Sequence, residues 1–173
     1  MPTSYQAPMR GDQARRSTVS QSLSSNTAKD TATVKTLLEK KGSAVFSIGP
    51  EDTAATAVGI LKDKRIGALM VTDTSGAMVG ILSERDIVRR LAETPGQTLP
   101  QKVADLMTSK VVSCAPEDTL VSVLRRMTEG RFRHMPVIDG GRLAGMLTIG
   151  DVVNYRLNEL EHEALQLKQM IVG

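Results

Sequence analysis

Two short motifs in this 173-residue sequence have the residue types and spacing for chemistry. Ser83-Glu84-Arg85-Asp86 and Thr148-Ile149-Gly150-Asp151 each set a hydroxyl three residues ahead of a carboxylate. At a helix start that spacing makes a capping box, in which side chain and backbone satisfy each other reciprocally. Such a cap contributes about 1 kcal/mol. The same geometry also suits a ligand, because a helix start offers free N–H groups and positive potential to an anion. An Asp placed there can accept bonds from both hydroxyls of a ribose, as acidic residues do in dinucleotide sites. A third cluster, Arg131, Arg133 and His134, lies just ahead of Met135-Pro136. Strand alternation sets Arg131 and Arg133 on one face. Two guanidiniums there, with an imidazole nearby, make a phosphate clamp. The competing reading is a solvated edge strand whose charges discourage aggregation.

The elements that must position these residues come in two copies. Gly49-Pro50-Glu51-Asp52-Thr53 returns as Ala115-Pro116-Glu117-Asp118-Thr119, and the stretch from Gly80 to Val88 returns from Gly145 to Val153. In each copy a short apolar strand ends at the Pro. Pro50 is expected at the first helical position, where its missing N–H is no loss, with Glu51 and Asp52 complementing the dipole in the first turn. Ala54, Ala57, Val58 and Leu61 then recur at i, i+3, i+4 and i+7, a helical core stripe. Leu120, Val123, Leu124 and Met127 repeat it. Strands over 66–72 and 132–138, tight turns at Asp73-Thr74-Ser75-Gly76 and Asp139-Gly140-Gly141, and return strands over 77–82 and 142–147 complete each copy. The fold class is therefore α/β (α+β): two β-α-β-β-α units about a pseudo-twofold axis, with clefts where they meet.

Around these units, residues 1–33 form a polar tail too poor in apolar residues to order itself. Residues 34–93 hold the first unit, with a short helix over 34–41. Residues 94–102 link to the second unit at 103–157, and 158–173 extend the last helix. Val153, Leu157, Leu160, Ala164, Leu167 and Ile171 are spaced 4, 3, 4, 3 and 4, a heptad-like seam for a second copy of the chain or for docking on its own body.

The doubled unit, each copy ending Gly-apolar-x-Ser/Thr-x-x-Asp, resembles a tandem pair of cystathionine-β-synthase (CBS) domains, a Bateman module. Ile66-Gly67-Ala68-Leu69 and Arg131-Phe132-Arg133-His134-Met135-Pro136-Val137 are similar to stretches of stand-alone bacterial CBS-pair proteins. The resemblance implies a non-catalytic module that binds an adenosine nucleotide between its halves and senses energy or metabolite state. The ligand it implies is AMP, with ATP, ADP and NAD(H) as alternatives. It assigns Asp86 and Asp151 to ribose and Ser83 and Thr148 to the ribose-phosphate region, with the Arg131, Arg133 and His134 clamp facing Asp86. The expected first site is Ser83, Arg85, Asp86, Arg131, Arg133 and His134. In the first copy, Gly67, Ala68 and Met70 stand where the second has Arg133, His134 and Pro136. The second site (Gly67, Ala68, Thr148, Asp151) is therefore expected to be weaker. Val45, Ile81 and Met146 are candidates for an adenine wall or for ordinary core. The resemblance also implies a homodimer, with a further protein partner to read the bound state.

Bulk composition narrows the alternatives. Hydrophobic residues reach 40% and aromatics only 2%, so aliphatics and nine Met must build the core. No run has the roughly 18 apolar residues of a membrane span. The single Cys114 excludes an intrachain disulfide framework and favours a reducing cytoplasm. Arg10, Arg15 and Arg16 among Ser and Thr leave organelle targeting as a second reading. Cys114 has no neighbouring base, and His134 and His162 lack the partner spacing of a zinc site. An enzyme is the least favoured class. A structural adaptor with vestigial clefts is the main alternative. A net charge of +3 and a pI near 9.2 suggest nucleic acid only weakly, since stacking aromatics are missing.

Overall fold

The computed structural model describes residues 32–172. Arg10, Arg15, Arg16 and the rest of the expected tail up to residue 31 lie outside the described residues. Ala32 and Thr33 belong to the fold: the Ala32 carbonyl accepts from Leu120 N–H, and Thr33 bridges Thr119. Helix α1 (Val34–Lys41) follows, its first turn capped by the Thr33 hydroxyl.

The first unit runs β1 (Ser47–Ile48), α2 (Ala54–Lys64), β2 (Ala68–Thr72), β3 (Met78–Ser83) and α3 (Glu84–Glu93). A short helix, α4 (Val103–Leu106), leads into α5 (Leu120–Gly130), β4 (His134–Asp139), β5 (Arg142–Thr148) and α6 (Ile149–Val172). In the first half β1 runs parallel to β2, which pairs antiparallel with β3. In the second, β4 and β5 pair antiparallel.

The helices α2 and α5 begin later than the prolines suggest. Thr53 and Thr119 are the N-caps, each hydroxyl accepting the backbone N–H three residues on at 3.2 Å. Pro50, Glu51 and Asp52 sit in the turn before the helix, where the Asp52 carboxylate accepts Gly49 N–H. A hydroxyl cap supplies an acceptor to an orphan N–H, whereas Pro at the first position only avoids losing a donor. Along the stripes, Ala54, Ala57, Leu61, Leu120, Val123 and Met127 are buried. Val58 is exposed and Leu124 half-buried.

The second copy's opening strand shrinks to one parallel bridge, Cys114 with Val137. In the first half Met70 N–H donates to the Phe46 carbonyl at 3.0 Å. Pro136 occupies Met70's place in the second half and has no N–H to give. The matching bond to Val112 cannot form, and the ladder stops there.

Packing crosses the sequence order. The buried face of α1, Val34 and Leu37, lies in the core of the second half with Leu120, Val123, Met135 and Val152. Val103 and Leu106 of α4 lie in the first half's core with Ala57, Leu69, Leu82 and Ile87. Backbone bonds anchor both segments alike. Val34 N–H donates to the Asp118 carbonyl and Lys35 to Pro116, while Val103 donates to Asp52 and Ala104 to Pro50. The repeated Pro-Glu-Asp turns are thus docking points for the segment that leads into the other half. Gly80 and Gly145 give the room. A Cβ on Gly80 would meet Met107 Sδ at 2.6 Å, and one on Gly145 would meet Leu38 at 2.8 Å.

Candidate functional site

A cleft of about 720 Å³ opens between the halves. It is lined by Ser83, Arg85 and Asp86 from one side and by Arg131, Arg133 and His134 from the other. All six residues expected for the first site thus face one space, which lies within the size range of small-molecule pockets.

The Ser83 hydroxyl accepts Asp86 N–H at 3.3 Å and donates to Asp86 Oδ2 at 2.6 Å, while Ser83 N–H donates to the same oxygen at 2.9 Å. The capping box is therefore complete. It fixes one carboxylate oxygen and, among the described residues, leaves Oδ1 without a partner. Cap and ligand group are compatible uses of one Asp: the cap holds the rotamer that aims the second oxygen.

On the opposite wall, α5 ends at Arg131 in the left-handed conformation, φ 55°. An L-residue there costs about 1–2 kcal/mol, and Arg65 ends α2 in the same conformation, φ 53°, so the turn belongs to the repeated frame. The turn redirects the chain into β4, so that Arg131, Arg133 and His134 line the cleft. Arg85 Nη1 donates to the Arg131 carbonyl at 2.7 Å, a bond spanning the two halves. His134 leans against Gly67, where a Cβ would lie 3.1 Å from the imidazole. Burial lowers the His134 pKa from its ordinary 6.5, with Glu84 and Asp151 pulling the other way and Arg133 and Arg85 adding to the drop. The ring is a neutral hydrogen-bonding group at neutral pH.

Sequence reasoning missed Arg89 and Lys110, which also line the cleft. Arg89 stands three residues after Asp86 on the same helix, a neighbour that helical spacing reveals. Lys110 follows α4 and reaches the cleft only because α4 packs on the first half. Five basic residues (Arg85, Arg89, Lys110, Arg131, Arg133) face two carboxylates (Glu84, Asp86), an excess suited to an anion. Ile81, Val111, Val112 and Phe132 supply apolar surface. Of the three adenine-wall candidates, Ile81 lines this cleft. Met146 is buried in β5 opposite Pro136, and Val45 precedes β1. Gly67, expected on the second site, lines the first. Ala68 is buried in β2 opposite Ser83, with no surface to offer.

Thr148 and Asp151 repeat the cap, with bonds of 2.9 and 3.1 Å. Their surroundings differ. Lys41 Nζ at the end of α1 donates to Asp151 Oδ2 at 2.6 Å, and both side chains are mostly covered. Burial pulls the Asp151 carboxyl up, but Lys41 and the Thr148 N–H together outweigh it and hold the pKa below the usual carboxylate range. Among the described residues no cation pairs with Asp86. Elsewhere, burial pushes the Cys114 thiol up to about 11, which leaves it protonated and a poor nucleophile. Among the described residues no helix is long and apolar enough to cross a membrane.

Comparison with known proteins fits this architecture. The CBS domain family matches at residues 42–93 and 103–158, and the chain belongs to that family. The CBS-domain containing protein ATU1752 from Agrobacterium tumefaciens is 44% identical with a TM-score of 0.71, over 73% of this chain and 94% of that one. The mitochondrial CBS domain-containing protein CBSX3 of Arabidopsis thaliana is 34% identical over 127 residues, 71% of this chain and 62% of its own length. CBSX2, solved in complex with AMP, is 25% identical with a TM-score of 0.61, over 73% of this chain and 97% of that one.

Proposed function

We propose that this chain is a non-catalytic regulatory module that binds an adenosine nucleotide, AMP foremost, in the cleft between Asp86 and the Arg131–His134 turn. The observation that carries the reading is the meeting of a capped carboxylate and a basic turn, from opposite halves, in one cleft with an excess of positive charge. The free oxygen of Asp86 accepts from the ribose hydroxyls. Arg131 and Arg133 neutralise the phosphate through paired donors, and His134 adds a hydrogen bond. Ile81 and Val112 offer the base an apolar wall. AMP bound to the related CBSX2 supports the ligand class.

A nucleotide gripped from both halves fixes their relative placement, which a protein partner can read. Such a switch requires unequal affinity for two arrangements. Lys41 neutralises the second carboxylate, which weakens its claim on a nucleotide and leaves one strong site per chain. The chain works as a homodimer joined through the exposed face of α6.

Titration calorimetry with AMP, ADP, ATP, NAD(H) and adenosine tests the ligand class. One site per chain with AMP, weakened about 10- to 100-fold when adenosine replaces it, is expected from losing charge-assisted bonds worth about 1.5–3 kcal/mol. No heat from any of the five with folded protein overturns the reading.

A further inference from the structure

Among the described residues, the second half of α6 packs against nothing. From Leu160 to Val172 every residue is exposed, including Leu160, Leu165, Leu167, Met170 and Ile171. The helix docks on its body through Val152, fully buried, and Tyr155, which packs against the second-half core. At about 100° per residue, the seam of Val153, Leu157, Leu160, Ala164, Leu167 and Ile171 lies roughly 130° round the helix from that docked face. The described residues of its own body therefore do not cover it.

The heptad frame is set by the spacing of the seam: Leu157, Ala164 and Ile171 fall at a, and Val153, Leu160 and Leu167 at d. The flanks then carry Arg156 and Glu163 at g, and Glu161 and Lys168 at e. In a parallel pair, each g residue meets the e residue five positions on in the partner. Arg156 then meets Glu161 and Glu163 meets Lys168, opposite charges at both places and on both sides of the dimer. Arg156 already holds Glu159 of its own helix at 3.1 Å, and the partner's carboxylate adds to that pair. The antiparallel pairing with greatest overlap sets Glu161 against its own copy and Glu163 against its own copy. Like charges in those positions reject that arrangement.

We infer that α6 forms a parallel, in-register two-stranded coiled coil with a second copy of this chain. This deepens the homodimer reading above and rests on it. Both bodies then sit at the same end of the coil, with their nucleotide clefts carried as a matched pair.

The test uses the full chain. Sedimentation equilibrium is expected to give the mass of two chains, and Leu160→Glu/Leu167→Glu the mass of one with an unchanged circular dichroism spectrum of the body. Ala164→Cys under a mild oxidant is expected to link two chains, because an a position faces itself in a parallel pair at disulfide distance. The native Cys114 is buried and does not compete. Lys168→Glu is expected to weaken association about 3-fold or more, and adding Glu163→Lys to restore it. A wild-type chain of single mass, or a dimer that survives both Glu substitutions, overturns the homodimer through α6. A dimer lost with those substitutions, in which oxidation of the Ala164→Cys variant nonetheless links no chains, overturns the parallel orientation alone.

Discussion

The two halves of this molecule share a plan and differ in what surrounds the same carboxylate. Asp86 and Asp151 both close a cap at the start of a helix. Opposite Asp86 stands a basic turn from the other half, and Lys110 lines the cleft without pairing with it. At Asp151, Lys41 pairs with Oδ2, the oxygen that also closes the cap, and neutralises the carboxylate. Duplication thus supplied two equal frames, and a few side chains left one carboxylate without a cation and gave the other one. A cap is retained in both because it stabilises the helix whether or not a ligand comes. The charged pair Arg133 and His134 is present in only one, with Gly67 and Ala68 at the matching positions of the other.

The comparison breaks most sharply at Asp86. Asp86→Ala is expected to lower AMP affinity about 100-fold, because two hydroxyls lose a charged acceptor. Arg133→Ala is expected to lower AMP affinity about 10-fold and leave adenosine binding nearly unchanged. Calorimetry with both ligands separates the two roles. Equal losses for both ligands in Arg133→Ala would contradict the clamp.

The glycines that admit the exchanged segments come next. Gly80→Ala drives a methyl against Met107 and against the Thr108 carbonyl at 3.0 Å, whereas Gly145→Ala meets only the side chain of Leu38. Backbone cannot turn aside and a leucine can. Chemical denaturation is expected to show a cost of about 1–3 kcal/mol for Gly80→Ala and less than about 1 kcal/mol for Gly145→Ala.

Lys41→Ala sharpens the difference between the clefts. Freed of its ion pair, Asp151 is expected to admit a second, weaker adenosine, seen as a rise in stoichiometry from one to two. Stability should fall by no more than about 1 kcal/mol, the ordinary worth of a partly exposed pair. Stoichiometry unchanged at saturating adenosine would show that Lys41 is not what keeps a second adenosine out.

The smallest effect is in pH. The folded-state pKa of His134 is depressed below 6.5, so its neutral form contributes stability above that value, and this is lost as pH falls. A bound phosphate favours the imidazolium, reversing the preference. AMP binding is therefore expected to take up protons and tighten a few-fold between about pH 7.5 and 6.5, with His134→Gln abolishing the trend. Calorimetry in buffers of different ionisation enthalpy measures the uptake directly.

Much of this was legible in the chain. Periodicity located α1 at Val34–Lys41 and the buried stripes of α2 and α5, because burial of one face leaves a local trace in residue order. The Ser/Thr-x-x-Asp motifs announced their caps because the partners are three residues apart. Even the loss of the second opening strand had a sign in Pro136, which stands where Met70 donates.

Other features had no local trace. The residues that make α1 amphipathic would serve equally against either half, and only the assembled surfaces sent Val34 and Leu37 to the second core and Val103 and Leu106 to the first. That exchange brought Lys110 to the cleft between the halves and set Lys41 on Asp151, 110 residues away. Residue order by itself determined the elements and the chemical groups on them, since hydrogen bonding and side-chain period act over a few residues. Which carboxylate stays without a cation was decided in three dimensions, because charge and contact act across space between segments far apart along the chain.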